Sequence, residues 1–154
     1  MKDLNKALAL EQLDKKTKKI ASLDETLIPS RGWVNLIRTT LNMSLKQLGK
    51  KLNITSQSVK EIEAREADKK ITLEKLNAVA EALNLRFVYG FIPKDGSFDQ
   101  MIEKRALVIA KQIVLKTSHT MALEDQQNNT ARIKRAIKDR AQQIKNEMPK
   151  YLWD

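Results

Sequence analysis

The sequence predicts a mostly α protein that contains one strand. Apolar side chains recur three and four residues apart through most of the chain, which is the spacing of helices that bury one face. Only residues 85–93, LRFVYGFIP, have the β-branched and aromatic composition that favours a strand. Glycines and prolines are few, four and three, and most of them separate these segments from one another.

The first predicted helix covers residues 3–21 and is followed by the linker SLDETLIPSRG. The larger apolar side chains that we expect on its buried face are Leu4, Leu8, Leu13 and Ile20. Four short helical patterns come next: WVNLIRTTL at 33–41, SLKQLGKKL at 44–52, SQSVKEIEARE at 56–66 and TLEKLNAVAEAL at 72–83. Residues suited to N-caps stand at or just before the start of three of them, and these are Ser44, Thr55 and Thr72.

The predicted strand at 85–93 has a consequence for assembly. A lone strand leaves its backbone groups unpaired, so it needs a partner. The partner that we expect is the same strand of a second copy, related by a twofold axis, which predicts a homodimer. Pairing with an N-terminal segment of the same chain is the alternative.

After the turn PKDGS, the sequence predicts a long helix at 97–117 and a last helix at 130–147. We expect the closing PKYLWD to fold back onto an apolar surface through Tyr151, Leu152 and Trp153. The predicted organisation is an N-terminal helix and linker (1–30), a central domain with the trailing strand (31–93) and a C-terminal helical region (94–154).

The charge balance predicts a polyanionic partner, with nucleic acid before membrane. The chain has 29 lysines and arginines against 19 aspartates and glutamates, a net charge of +10. Residues 31–66 contain seven basic and three acidic residues, a net charge of +4. An excess on the cluster of short helices suits DNA binding there.

Composition excludes several kinds of site. With no cysteine and one histidine, the chain cannot form disulfides, cysteine-zinc sites, thiol nucleophiles or multi-histidine metal sites, so we expect no metal and no cofactor. No apolar run approaches the roughly 20 residues that span a bilayer, and the charged N-terminal segment has no signal-peptide core. We expect a cytoplasmic protein that is not an enzyme.

The most specific pattern is MSLKQLGKKLNITSQSVKEIE, whose spacing is that of a helix-turn-helix. Leu48 and Gly49 supply the apolar and small residues that let two helices cross closely. The short turn NIT follows, with Ile54 beneath it, and Val59 and Ile62 supply the buried side of the second helix. The N-terminal side chains of that second helix are then free to meet base edges in the major groove.

These residues resemble the phage-repressor-like helix-turn-helix domain, of the Cro or xenobiotic-response-element type, over about residues 33–83. The resemblance implies that Ser56 and Gln57 face bases, and that Ser44 and Thr55 hold phosphates at helix N-termini. The full set of DNA-binding residues that it implies, with Lys60 reaching a base or a phosphate, is Ser44, Thr55, Ser56, Gln57, Ser58, Lys60 and Glu61.

The resemblance also pairs Arg38 of the first short helix with Glu63 as a structural ion pair. One residue departs from the pattern. Members of the family often have glutamine at the position of Leu45, where its amide braces the recognition helix against the DNA backbone, and leucine cannot form such hydrogen bonds.

RGWVNLIRTTLNMSLKQLGKKL, FVYGFIP, SHTMALEDQ and the terminal LWD together resemble a narrower family, called mobile mystery protein A. The resemblance covers nearly all of the chain from residue 31 onwards. It implies a neighbouring gene for a Fic-domain protein, and Fic enzymes usually transfer AMP to hydroxyl groups of target proteins. It thus implies an antitoxin-like regulator that binds both its operator and a Fic partner.

SHTMALEDQ contains the only histidine and permits three interpretations. A hydrolase triad of Ser118, His119 and Asp125 is unfavourable, because adjacent helical residues point about 100° apart and no oxyanion device accompanies them. The second interpretation is a helix start with Ser118 or Thr120 as N-cap. The third is that Thr120 and Glu124 have the spacing found in helices that inhibit Fic enzymes, although Asp125 stands where that motif has Gly or Asn.

The predicted function is therefore a sequence-specific DNA-binding repressor of its own operon that is an antitoxin-like partner of a Fic-domain toxin. The alternative is a protein-binding antitoxin that inhibits a Fic adenylyltransferase through Thr120 and Glu124, with DNA binding secondary. The predicted partners are double-stranded operator DNA, a second copy of the chain and a Fic-domain protein.

Overall fold

The computed structural model describes residues 2–23, 27–121 and 129–154. In that part of the chain the fold is all α, with a short 3-10 helix (Lys150–Trp153) near the C-terminus. The seven helices are α1 (Lys2–Ile20), α2 (Trp33–Thr40), α3 (Leu45–Leu52), α4 (Ser56–Ala67), α5 (Leu73–Ala82), α6 (Phe98–Met121) and α7 (Asn129–Glu147). They form two compact units, which we call the central unit (Leu23–Gly90) and the terminal unit (Met1–Ser22 with Phe91–Asp154).

The predicted strand at residues 85–93 is wrong for the single chain. These residues have no regular secondary structure, and from Arg86 to Ile92 the backbone makes no hydrogen bond within the described structure. A strand exists only where its backbone pairs with a neighbouring strand, and every regular element of the described chain is a helix. The segment thus has a composition that favours a strand but no described partner, N-terminal or otherwise.

Side-chain caps fix where the short helices of the central unit begin. Ser44 Oγ accepts a hydrogen bond from the backbone N–H of Gln47 at 3.1 Å, and Gln47 Oε1 accepts one from the N–H of Ser44 at 2.8 Å. This reciprocal pair is a capping box. Thr55 and Thr72 cap α4 and α5 by accepting single backbone hydrogen bonds. The three predicted N-caps are confirmed.

The core of the central unit lies between α2, α3, α4 and α5. Each helix contributes buried aliphatic side chains, and these are Val34, Leu48, Val59, Ile62 and Val79. Half-buried residues surround them, among them Met43, Leu52, Ile54 and Leu76. Fully burying an aliphatic side chain of this size contributes about 1.5–3 kcal/mol, so this cluster holds the four short helices together.

In the terminal unit, α6 and α7 pack as an antiparallel helical hairpin. Their buried contacts involve Ile102, Ala106, Ile109, Ala110 and Ile144. Near the end of α7, Lys145 Nζ lies 2.9 Å from Asp99 Oδ2 and 3.6 Å from Glu103 Oε2, both at the start of α6. The hydrogen bond to Asp99 raises the pKa of Lys145 against the opposing effect of burial. The lysine therefore remains charged where the two helices meet.

The N-terminal helix α1 packs through a face other than the predicted one. Of the residues predicted to be buried, the leucines are exposed, Leu4 by 74%, Leu8 by 52% and Leu13 by 42%, and Ile20 is half-buried. Leu10 packs instead against the core of the terminal unit, and Thr17 is buried. Between them, Asp14 accepts hydrogen bonds from the backbone N–H groups of Phe98 at 2.7 Å and Asp99 at 3.2 Å. Asp14 thus caps α6, and the buried stripe runs at positions 10, 14 and 17.

These contacts place α1 in the same unit as the C-terminal helices. The predicted domains were 1–30, 31–93 and 94–154, which assign α1 and the C-terminal helices to different domains. The central unit ends at Gly90. Of the helices that the structure describes, none is both long and apolar enough to cross a membrane.

The C-terminal residues fold back through Leu152 alone. Its side chain is fully buried in the core of the terminal unit. Arg105 Nε donates to the Leu152 carbonyl at 2.6 Å, and Arg105 Nη2 donates to the carbonyl of Asp154. Tyr151 and Trp153 are exposed, so the prediction that they fold back is wrong.

Helix α6 is longer than predicted, and it includes Ser118 and Thr120 in its last turn. The interpretation of either residue as the N-cap of a following helix is therefore wrong. No glycine or proline occurs from residue 98 to residue 121 to end the helix earlier. Glu124 and Asp125 lie outside the described residues, so the hypothesis that pairs Thr120 with Glu124 stays a prediction.

Candidate nucleic-acid interface

A short turn joins α3 to α4, and two residues permit it. Asn53 has φ 56° and ψ 42°, a left-handed conformation that asparagine tolerates better than most residues. A β-carbon on Gly49 would lie 2.7 Å from the carbonyl oxygen of Ile54. The two helices therefore approach each other at a residue without a side chain, as the helix-turn-helix spacing predicts.

Helix α4 has one buried and one exposed face. Val59 and Ile62 are buried, which confirms the packing predicted for them. The exposed side chains in its first two turns are Ser56, Gln57, Lys60 and Glu61, and Ser58 is half-buried between the faces. In a helix-turn-helix, these are the positions that meet base edges when the second helix enters the major groove.

Ser44 and Thr55 are exposed at the N-termini of α3 and α4. Both hydroxyl oxygens already accept a backbone hydrogen bond, and Thr55 Oγ1 also lies 2.9 Å from Ser58 Oγ. A hydroxyl that accepts a hydrogen bond still has a proton to donate, and the amides of a helix N-terminus favour an anion. The chemistry at both positions suits a phosphate oxygen.

The predicted ion pair between Arg38 and Glu63 is present in the structure. Arg38 Nε donates to Glu63 Oε1 at 2.5 Å and Nη2 donates to Oε2 at 3.2 Å, while Asn35 Nδ2 donates to Oε2 at 2.8 Å. Burial acts to raise the pKa of the Glu63 carboxyl, but the hydrogen bonds from Arg38 and Asn35 and the charge of Arg38 outweigh it and lower that pKa. The hydrogen bond to Glu63 raises the pKa of Arg38. Both groups are therefore charged, and they fix α4 to α2.

Glu66, one turn further along α4, caps the start of α2. Its two carboxylate oxygens accept hydrogen bonds from the backbone N–H groups of Trp33 at 2.8 Å and Val34 at 2.9 Å. Gly32 is the N-cap residue of α2 and has no side chain to provide these bonds. A β-carbon there would lie 2.7 Å from the Glu66 carboxylate. The sequence analysis missed this contact because its partners lie 32 and 33 positions apart.

Six cations that the sequence analysis did not assign to the site lie on α3, on α4 or between α4 and the first turn of α5. Three are exposed on α3, namely Lys46, Lys50 and Lys51. Three line a groove of about 310 Å³ between α4 and the start of α5, namely Arg65, Lys70 and Lys75. None of the six forms an ion pair within the described structure, so all are available to phosphates. The lysine pairs at 50–51 and 69–70 were the signal that could have indicated them.

Leu45, at the position where glutamine is frequent, packs half-buried against the core of the central unit. Gln47, in the same helix, is engaged in the capping box with Ser44. Within this unit, α4 is oriented by the hydrogen bonds that its residues Glu63 and Glu66 accept from α2.

Comparison with known proteins identifies the type of domain that this geometry represents. Residues 35–89 match the profile of a helix-turn-helix family, of the Cro/C1 type. No curated protein matches the chain. No solved structure matches it either. Regulators with such a domain are typically not enzymes. The central part of the chain is therefore a Cro/C1-type helix-turn-helix domain, the domain by which DNA-binding transcriptional regulators contact DNA.

Proposed function

We propose that the protein is a sequence-specific DNA-binding repressor of its own operon. The observation that supports this most directly is the exposed N-terminal face of α4, in a helix whose opposite face is buried and tied to α2. A helix held in this way enters the major groove as a rigid element. Exposed hydroxyls and unpaired cations on the same unit supply contacts to the DNA backbone.

In this proposal the residues of α4 have distinct roles. The Gln57 amide presents a donor and an acceptor together, which suits the edge of an adenine. Lys60 reaches a guanine or a phosphate, and the Glu61 carboxylate accepts a hydrogen bond from a cytosine amine. Ser44 and Thr55 hold phosphates and so set the position of α4 on the duplex.

Fluorescence anisotropy with the DNA upstream of the gene, measured at several salt concentrations, tests the assignment. Gln57→Ala is expected to weaken operator binding by about 1–3 kcal/mol and to relax base preference. Lys50→Gln should weaken binding to all sequences alike and lower the salt slope by about 1. Gln12→Ala, at an exposed position of α1, is the matched control and should change neither. Wild-type affinity and preference in Gln57→Ala would show the base contact to be misassigned.

We also propose that the repressor is the antitoxin-like partner of a Fic-domain toxin. The support is the resemblance of RGWVNLIRTTLNMSLKQLGKKL, FVYGFIP, SHTMALEDQ and LWD to mobile mystery protein A. A gel shift with the upstream DNA, with and without the neighbouring protein, tests this role. If the complex of regulator and DNA migrates more slowly when the neighbouring protein is added, the two proteins bind the operator together. If the regulator shifts the DNA and the added protein leaves that band unchanged, no joint complex forms.

The alternative function, direct inhibition of the Fic enzyme, rests on the spacing of Thr120 and Glu124. Thr120 belongs to the last turn of α6. Glu124→Arg should then fail to protect cells against the partner while binding operator DNA as wild type does. Full protection by that variant would exclude the inhibitory role. If the variant loses both DNA binding and protection, it is misfolded.

A further inference from the structure

The first half of α7 exposes four cations, which we call the α7 basic face, and these are Arg132, Lys134, Arg135 and Lys138. None of the four forms an ion pair with a residue that the structure describes. Lys145, near the other end of the same helix, is instead paired with carboxylates of α6. Charge on α7 is therefore compensated at its C-terminal end and left uncompensated on the α7 basic face.

The α7 basic face lies on the side of the helix away from the core of the terminal unit. Helical residues turn by about 100° each, so the four cations cover an arc of about 160° that leaves out Ile137 and Ile144, which pack inward. Cations three residues apart, such as Arg132 and Arg135, are neighbours on a helix surface and repel each other. Asp139 lies on the same side, but it forms no ion pair with a described residue either. A bound polyanion would remove this repulsion.

The composition of α7 selects a nucleic acid over a protein or a membrane as that polyanion. From Thr130 to Glu147 no large apolar side chain is exposed. The core of a protein interface is depleted of charged residues and enriched in aromatic ones, and a helix that lies on a membrane inserts an apolar face. The apolar side of α7 already packs in the core of the terminal unit. Phosphates, in contrast, are bound by lysine and arginine without any apolar contact.

We infer that the α7 basic face is a second DNA-contacting surface, which binds the phosphates of duplex DNA without regard to base sequence. This inference rests on the proposed DNA-binding function, which makes duplex DNA the polyanion that the protein meets. From residue 132 to residue 138 the helix rises about 9 Å. A duplex carries one phosphate charge per about 1.7 Å of its axis, hence about five over that length. The four cations thus match the charge density of a duplex.

Fluorescence anisotropy of the full chain, with the upstream operator DNA and with a scrambled duplex of equal length, tests the inference over a series of salt concentrations. Replacing all four residues of the α7 basic face by glutamine should lower the slope of log K against log salt by about 3–4 on both duplexes, because each phosphate contact contributes about 0.9. The ratio of the two affinities should stay as in the wild type, since these contacts read no bases.

A matched control removes the same charge from elsewhere in the terminal unit. It replaces four other exposed lysines by glutamine, and these are Lys16, Lys18, Lys19 and Lys150. This variant has the same net charge as the first and should keep the wild-type slope. Asp139→Asn removes the carboxylate beside the α7 basic face and should tighten binding to both duplexes, a gain that misfolding cannot produce. Circular dichroism should show wild-type helix content in all three variants.

The outcomes separate this inference from the proposed function. A wild-type slope in the variant of the α7 basic face, or an equal loss of slope in the control, would overturn the inference. If Lys50→Gln and Gln57→Ala still weaken operator binding in that case, the proposed function holds without it. Tighter binding of the wild type to duplex RNA than to duplex DNA would overturn the assignment of DNA as the partner. A wild type that binds neither DNA would refute the proposed function and the inference together.

Discussion

Removing the Glu63 carboxylate is the sharpest test of how α4 is held. Glu63→Ala is expected to lower the free energy of unfolding by about 3–5 kcal/mol, because it leaves the Arg38 guanidinium charged and without its partner. The two side chains are only 13% and 10% exposed, so water cannot replace the lost hydrogen bonds. Asn35 loses its acceptor in the same substitution.

Tryptophan fluorescence during thermal unfolding can measure this loss in the central unit. The chain has two tryptophans, and Trp153→Phe leaves Trp33 as the only reporter, whose backbone N–H binds Glu66. At roughly 4–8 °C per kcal/mol for a domain of this size, the expected fall in Tm is roughly 12–40 °C. Glu61→Ala, on the exposed face of α4, is the control and should shift stability by less than about 0.5 kcal/mol. Equal small shifts in both variants would refute the reasoning.

A double substitution separates the ion pair from simple loss of packing. Arg38→Met with Glu63→Met removes both charges and leaves neither unpaired, so it should recover much of the stability that either single substitution loses. If the double variant is as unstable as the sum of the single ones, the two residues act independently and the ion pair is not the cause.

The same pair predicts how stability depends on pH. The folded-state pKa of Glu63 is lower than the ordinary value of 4.5. Its contribution is therefore complete above that ordinary value and is lost as the pH falls through the folded-state pKa. Below pH 4.5 the wild type should lose stability more steeply than Glu63→Gln, in acid titrations followed by Trp33 fluorescence. Parallel curves for the two proteins would contradict the assigned direction.

Two further substitutions test local features of the units. Asp14→Ala removes the carboxylate that accepts the first two backbone N–H groups of α6 and leaves the Ser97 cap in place. It should cost the terminal unit about 0.5–2 kcal/mol, measured through Trp153 in a Trp33→Phe background, whereas Asp139→Ala on the exposed side of α7 should have little effect. Asn53→Ala should cost roughly 1–2 kcal/mol in chemical denaturation because of its left-handed backbone, and Asn53→Gly should not be destabilising.

The features that the sequence predicted well are those determined by neighbouring residues. The caps at Ser44, Thr55 and Thr72 depend on contacts three residues away. The burial of Leu48, Val59 and Ile62 follows from helical periodicity within one motif. For this reason the helix-turn-helix could be predicted from its spacing before any tertiary contact was known.

The features that it missed depend on residues far apart in the chain. The spacing of apolar side chains predicted that α1 packs through its leucines. The hydrogen bonds that Asp14 accepts from residues 84 and 85 positions away instead decide which face is turned inward. The prediction of a strand at 85–93 was wrong for a related reason. Composition shows that a segment favours the extended conformation, but a strand forms only when its backbone hydrogen-bonds to a neighbouring strand. The side chains of Gln57 and its neighbours on that face are exposed, as predicted. Their contacts with DNA stay predictions.

The spacing of two carboxylates explains how one helix can be both anchored and exposed. Glu63 and Glu66 are three residues apart, so they lie on the same face of α4, and both contact α2. Gln57 and Lys60, also three residues apart, lie on the exposed side. Leu45 packs against the core of the central unit, and the charged groups that hold α4 contact α2 instead. The orientation of α4 is therefore set by charged hydrogen bonds inside the domain, while the side chains of Gln57 and Lys60 stay exposed on its other side.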